Sequence, residues 1–121
     1  VHDTTTLRGW WDEDPEARTL FWEALGFSDS VPGTYTPEVA RRVMAALSER
    51  ASSAITMFEI QDFLALSDDL VPEDPDHERI NTPGTYNSAN WSYRVPVSIA
   101  GLRGHKRLTE GMRYIASSRR Q

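Results

Sequence analysis

Residues 54–60, AITMFEI, form the stretch that decides the predicted fold. The run is short, and Ile55, Met57 and Phe58 are its apolar members. Such runs are typical of a buried β-strand. It is a single candidate strand, and one strand cannot make a sheet that is stable on its own. We therefore predict a mostly α chain with one or two short strands, excised from a larger α/β protein.

Helices are predicted on both sides of this segment. Residues 15–25 begin with a proline, carry an apolar stripe and are followed by Gly26, which suits a helix C-terminus. Thr36 followed by proline and glutamate starts a helix that we expect to run to about residue 49. Residues 61–66 are predicted to form a short helical turn, and residues 105–117 the final helix.

Residues 68–95 are predicted to form a long loop. The first part is acidic and holds two prolines, and the second part is rich in turn-forming residues. A connection of this length without secondary structure is uncommon unless it is functional or disordered. We treat residues 1–121 as a single piece, with helices and the candidate strand in about 1–66, the loop in 67–95 and a C-terminal helix in 96–121.

Composition narrows the class of protein. The chain has 121 residues, a net charge of −5 and no cysteine, so disulfides and thiolate metal sites are excluded. No apolar run approaches the roughly 20 residues that span a bilayer. A nucleic-acid binder should show a concentrated basic face, whereas the basic residues here fall in small clusters at 41–42, 103–107 and 119–120. We predict a cytoplasmic protein without nucleic-acid or membrane partners, cut from a longer chain because Val1 is not preceded by methionine.

Two pairs of polar residues are candidates for chemistry. His2-Asp3 could bind a polyol, stabilise a developing positive charge or bind a metal, or Asp3 could simply cap a helix. Gln61-Asp62 follows the predicted strand directly, and strand ends carry the active sites of barrel enzymes. The alternative for these two side chains is capping of the next turn. His77 has no partner at zinc-ligand spacing, and neither has His105. We interpret both as solvated surface residues and predict no metal and no cofactor.

The aromatic residues and the second half of the long loop are the other candidates. Trp22 lies within a predicted helix, which favours a place in the core. Trp91 lies in a polar loop that also carries an amide and an arginine, a combination that suits a polar ligand. The alternative for residues 78–85, ERINTPGT, taken alone is a surface turn.

Four stretches together resemble the 4-α-glucanotransferases of glycoside hydrolase family 77. They are residues 2–11 (HDTTTLRGWW), 58–64 (FEIQDFL), 78–85 (ERINTPGT) and 90–94 (NWSYR), and they occur in the order that the family shows. The resemblance covers almost the whole chain. It implies that the chain is the C-terminal portion of a (β/α)8 barrel, a fold that takes about 250 residues.

The resemblance also implies a reaction and roles for residues. The reaction is retaining transfer of α-1,4-glucan segments between maltodextrins, which needs a nucleophile and an acid/base carboxyl about 5–5.5 Å apart. The family carries both upstream of Val1, so we expect this chain alone to be inactive. Asp3 matches the third, transition-state-stabilising carboxylate. His2 and Asn81 are implied to bind substrate, with Pro83, Gln61 and Trp91 as further contacts.

Two other readings compete with the enzyme. In one, the aromatic residues and residues 81–94 bind glucan without catalysis. In the other, the chain is a helical interaction or DNA-binding module with Arg41-Arg42 on a recognition helix, although its net charge of −5 argues against this. An excised barrel piece also exposes faces that once met other strands, and we expect it to repack into a compact, mostly α structure or to self-associate.

Overall fold

The computed structural model describes residues 2–119 and is mostly helical, as predicted. The α-helices are α1 (Leu7–Trp11), α2 (Pro15–Ala24), α3 (Pro37–Arg50), α4 (Ile60–Leu64), α5 (Ile99–Gly104) and α6 (Lys106–Ser118), and two short 3-10 helices cover Asp68–Leu70 and Pro75–Glu78. Val1 and the last two residues of the predicted C-terminal segment 96–121 lie outside the described residues. No helix within residues 2–119 is long and apolar enough to cross a membrane.

The three long helices confirm the predictions made from capping residues and apolar stripes. Asp14 caps α2 by accepting from the backbone N–H groups of Glu16 and Ala17. Thr36 caps α3 by accepting from the N–H of Val39. A side-chain oxygen at this position satisfies donors that have no partner inside the helix. The short helices α1 and α5 were not predicted, and the predicted long loop contains both 3-10 helices.

The core lies where α3 packs against α6, with α4 beside α6. Val43 and Met44 of α3 are fully buried, as are Leu108 and Ile115 of α6 to within a few per cent. Helix α6 closely approaches the segment that follows α4, since a Cβ added to Gly111 would lie 3.0 Å from a methyl carbon of Leu66.

Aromatic side chains extend this core towards α1 and α2. Trp11 and Trp22 are buried and meet edge to face, with ring centroids 6.0 Å apart. Trp22 also packs against Phe27 at 4.1 Å. The predicted core position of Trp22 is therefore confirmed.

The predicted strand at residues 54–60 is wrong. No strand occurs among residues 2–119, and α4 already begins at Ile60. A strand needs a neighbour for its backbone hydrogen bonds, and the described part of the chain provides none. Ile55 and Met57 are 73% and 87% exposed, so one side of this segment packs against nothing.

His105 is not the solvated surface residue that the sequence suggested. It caps α6 by accepting from the N–H of Leu108 through Nδ1, and its Nε2 lies 2.9 Å from an oxygen of Asp69. The other oxygen of Asp69 accepts from the hydroxyl of Ser67. The bond from Ser67, followed by that from His105, lowers the pKa of Asp69 to about 2.

Replacing Asp69 should make the stability of α6 less dependent on pH. The folded-state pKa of Asp69 is below its usual 3.8. The ionised carboxylate therefore contributes to folding stability above pH 3.8, and this contribution is lost as the pH falls towards the folded-state pKa. Asp69→Asn should therefore lower the melting temperature at pH 7, and the gap from wild type should narrow below pH 4. Thermal unfolding of both proteins between pH 7 and pH 3 measures this. A gap that stays constant would show that the Asp69 charge does not support the cap.

Candidate functional site

Four of the predicted site residues, His2, Asp3, Asn81 and Trp91, lie together, and we call them the His-Asp cluster. One oxygen of Asp3 accepts from Asn81 Nδ2 at 2.8 Å across 78 residues of sequence. The other lies 3.2 Å from His2 Nε2. The rings of His2 and Trp91 are 4.9 Å apart. The N–H of Asn81 also donates to the carbonyl oxygen of His2 at 3.0 Å, so backbone and side chains both join the two segments.

The turn that follows Asn81 places Pro83 at an exposed tip. The N–H of Thr85 donates to the carbonyl oxygen of Thr82 at 3.2 Å. Gly84 has φ +78°, and Pro83 precedes it, which is the sequence preference of a type II turn. Pro83 is exposed, and its part in the site is to shape this turn beside the cluster.

Asn90 closes the loop and returns the chain to the cluster. Its side-chain oxygen accepts from the N–H of Thr82 at 3.1 Å, and its amide donates to the carbonyl oxygen of Thr85 at 3.2 Å. The next residue, Trp91, then donates its N–H to the carbonyl oxygen of Ile80 at 2.6 Å. The loop is thus held by its own hydrogen bonds and presents Asn81 and Trp91 on one side.

A buried carboxylate, Glu78, binds the segment that follows His2 and Asp3 in the chain. Glu78 is only 2% exposed, and it accepts from the hydroxyl of Thr6 at 2.9 Å and from Nε of Arg8 at 3.2 Å. Burial raises the pKa of Glu78, although the bonds from Thr6 and Arg8 oppose that shift. Arg8 also donates to the carbonyl oxygen of Pro72 at 2.6 Å.

Residues 78–81 therefore run beside residues 2–8 and contact them repeatedly. Between Glu78 and Asn81, the guanidinium of Arg79 donates to the backbone oxygen of Asp3 at 3.3 Å. Glu78 and Arg79 were not among the predicted site residues. The available signal was their place at the head of the ERINTPGT stretch, which matched the family pattern.

Gln61 and Asp62 take other positions. Gln61 is buried, and its amide donates to the backbone oxygen of Glu78 at 3.2 Å. Asp62 accepts from the N–H of Leu7 at 3.0 Å, and burial raises its pKa. The structure does not bring Gln61 to the His-Asp cluster. Asp62 holds the start of α1, close after His2 and Asp3 in the chain, whereas Gln61 holds the backbone at Glu78.

The His-Asp cluster is suited to binding a polyol. Asp3 and His2 are both about half exposed, so the carboxylate oxygens keep acceptor capacity for ligand hydroxyls. Asn81 and His2 add groups that can donate to or accept from hydroxyls. No group of three metal-ligating side chains occurs among the residues that the structure describes. Retaining glycosyl transfer needs two carboxyl groups, and the cluster contains one.

Comparison with known proteins decides the family. The model of the 4-alpha-glucanotransferase family matches residues 1–99. The chain belongs to this family. That match includes every residue of the His-Asp cluster, together with Glu78 and Arg79.

Individual 4-alpha-glucanotransferases are similar to the chain over most of its length. The enzyme of Chlamydia muridarum is 40% identical over 111 residues, which are 89% of this chain and 20% of that protein. The DPE2 enzyme of Oryza sativa subsp. japonica is 33% identical over 118 residues, 97% of this chain and 12% of that protein. The chain thus spans a fifth or less of the length of these relatives. No solved structure matches it.

One relative is a plastid enzyme, which matters for the predicted cellular location of this chain. The chloroplastic/amyloplastic 4-alpha-glucanotransferase DPE1 of Arabidopsis thaliana is 29% identical over 103 residues, 83% of this chain and 15% of that protein. The family therefore includes plastid enzymes, and the cytoplasmic location of this chain stays a prediction.

Proposed function

We propose that this chain is part of a 4-α-glucanotransferase in which Asp3 stabilises the transition state of glucan transfer. The observation that carries the proposal is the His-Asp cluster: a half-exposed carboxylate held between His2 and Asn81, inside the segment that matches the family. The substrate is an α-1,4-glucan or maltooligosaccharide, the class implied by the family name.

The proposed reaction is a double displacement with retention. A carboxylate nucleophile attacks the anomeric carbon, and the glycosidic bond breaks as an acid protonates the leaving glucan oxygen. A hydroxyl of a second glucan then attacks the glycosyl-enzyme, gives its proton to the same acid/base group and releases the nucleophile. Both of these carboxyl groups come from the rest of the parent enzyme.

Asp3 acts on the sugar that reacts. Its oxygens accept hydrogen bonds from ring hydroxyls, and its negative charge lies close to the positive charge that develops at the anomeric carbon. Fixed charges and dipoles of this kind stabilise a transition state without reorganisation during the reaction. His2 and Asn81 hold the carboxylate and donate to the same sugar, while the turn at Pro83 borders the groove. Gln61 contributes through its bond to Glu78.

The chain is also proposed to form the C-terminal part of a (β/α)8 barrel. The exposed apolar side chains of Ile55 and Met57 are then surfaces that contact other parts of the parent. In the isolated chain the same uncovered side chains would promote self-association.

The proposal predicts transfer by the parent enzyme and none by this chain alone. The parent, incubated with maltotriose, should yield glucose together with maltodextrins longer than the substrate. Residues 1–121 expressed alone should release no glucose, because one carboxylate cannot perform both steps. Chromatography of the products measures both. Hydrolysis without longer products would contradict transfer. Retention of the chain on an amylose column, with an inactive parent, would instead support a non-catalytic glucan-binding module.

A further inference from the structure

Trp91 has an unusual backbone conformation. Its φ is +63°, and it is the single non-glycine residue with positive φ among residues 2–119. Bulky L-residues rarely adopt this left-handed region, because Cβ crowds the neighbouring carbonyl oxygen. Such strain persists only when the surroundings impose it, and it concentrates at functional sites.

The surroundings of Trp91 do impose this conformation. Its N–H donates to the carbonyl oxygen of Ile80 at 2.6 Å. The preceding residue, Asn90, is fixed by its side-chain bonds across the turn. The following residue, Ser92, is fixed by donation from its hydroxyl to the carbonyl oxygen of Ala89 at 2.6 Å.

Burial does not compensate for the strain. The indole of Trp91 is 66% exposed, so little apolar surface is removed from water. What the conformation provides is one ring contact, in which the indole lies against the imidazole of His2 at 4.9 Å with the planes 36° apart. His2 is in turn 3.2 Å from Asp3.

We propose that Trp91 is a positioning residue whose strained backbone delivers the indole that holds the His2 imidazole beside the Asp3 carboxylate. This rests on the proposed function of Asp3. The imidazole of His2 is half exposed and would otherwise sample several rotamers. Packing of the indole restricts those rotamers. It thereby fixes the His2 imidazole, which contacts Asp3 and, in the proposed function, the sugar.

The test uses the parent enzyme with two substitutions at one position. Trp91→Asn removes the ring, while asparagine tolerates the left-handed backbone better than most residues. Trp91→Phe keeps a ring. We expect Trp91→Asn to lower kcat by about 10- to 100-fold, the loss expected when a reacting group is slightly misplaced. KM should stay near the wild-type value. The melting temperature should stay near the wild-type value or rise. Trp91→Phe should retain most of kcat.

A double-mutant cycle separates positioning from other roles. In a His2→Ala background, Trp91→Asn should cause no further loss of kcat, because the group that it positions is already absent. Independent, multiplicative losses would overturn the proposal. A raised KM at unchanged kcat would also overturn it, and would make Trp91 a platform that stacks on the glucan.

The same set distinguishes this proposal from the function on which it rests. If Asp3→Asn leaves the parent active, the role of Asp3 fails. If Asp3→Asn inactivates the enzyme while His2→Ala and Trp91→Asn do not, the positioning role alone fails.

Discussion

Asp3→Asn in the parent enzyme is expected to lower kcat for maltotriose disproportionation by roughly 10²–10³-fold, the effect of removing one well-placed electrostatic stabiliser. Asparagine has nearly the same shape and keeps one oxygen acceptor, so the neighbouring bonds can largely persist. It lacks the negative charge that opposes the charge developing on the sugar. Because the lost interaction is made mainly in the transition state, kcat should fall far more than KM rises.

Asp12→Asn is a matched control for this substitution. Asp12 follows α1, is exposed, and takes no part in the His-Asp cluster. Its replacement should leave kcat within about twofold of wild type, because surface substitutions away from the His-Asp cluster and the core have small effects. Initial rates of glucose release over a range of maltotriose concentrations measure both variants. An Asp3→Asn enzyme with kcat close to that of the control would return Asp3 to the role of a polar residue at a chain turn.

Arg8→Ala is expected to destabilise the parent by about 3 kcal/mol, the lower end of the cost of breaking a buried ion pair. The substitution leaves Glu78 buried at 2% exposure without its charged partner. The hydroxyl of Thr6 still donates to it, which keeps the loss from being larger. Denaturant unfolding measures the change in the free energy of unfolding.

A surface pair provides the comparison. Arg42 and Asp29 form two hydrogen bonds of 2.9 Å, and the Asp29 side chain is more than half exposed. Asp29→Ala should cost much less than Arg8→Ala, because water screens and replaces exposed ion pairs. Equal losses in the two variants would mean that the pair at Glu78 does not contribute as a buried ion pair.

The pH dependence of Arg8→Ala gives an independent check. Burial raises the pKa of Glu78, and Arg8 opposes that shift, so removal of Arg8 should raise the pKa further. A carboxyl with a raised folded-state pKa binds a proton on folding, and stability then falls as pH rises through that range. The deficit of Arg8→Ala relative to wild type should therefore narrow as pH is lowered from 7 to 5. A deficit that widens on acidification would contradict this.

Local sequence signals were sufficient for the long helices. The proline and apolar stripe of α2 and the Thr36 cap of α3 depend on neighbours within a few residues, so their effects can be seen in the sequence. The helices α1 and α5 have five and six residues, too few for a periodic pattern to be distinguished. The strand at residues 54–60 was wrong because strand formation depends on a partner, which a one-dimensional pattern does not reveal.

The site shows the same division between local and distant causes. The family pattern marked His2, Asp3 and Asn81, but no local rule brings residue 3 to residue 81. Glu78 lies in an acidic, proline-containing stretch, where a carboxylate is ordinarily solvated. Its burial depends on Thr6 and Arg8, which are 72 and 70 residues away in sequence. The strain at Trp91 likewise follows from closure of the loop on Ile80 and Asn90.

The most direct test of the central claim is a crystal structure of the parent enzyme with a maltooligosaccharide bound in its catalytic cleft. We predict that one glucose ring lies over the His-Asp cluster, with an oxygen of Asp3 about 2.6–3.2 Å from a ring hydroxyl, the range of a hydrogen bond. His2 or Asn81 should contact the same ring. A sugar chain bound elsewhere, with Asp3 facing protein alone, would contradict the assignment of this cluster to catalysis.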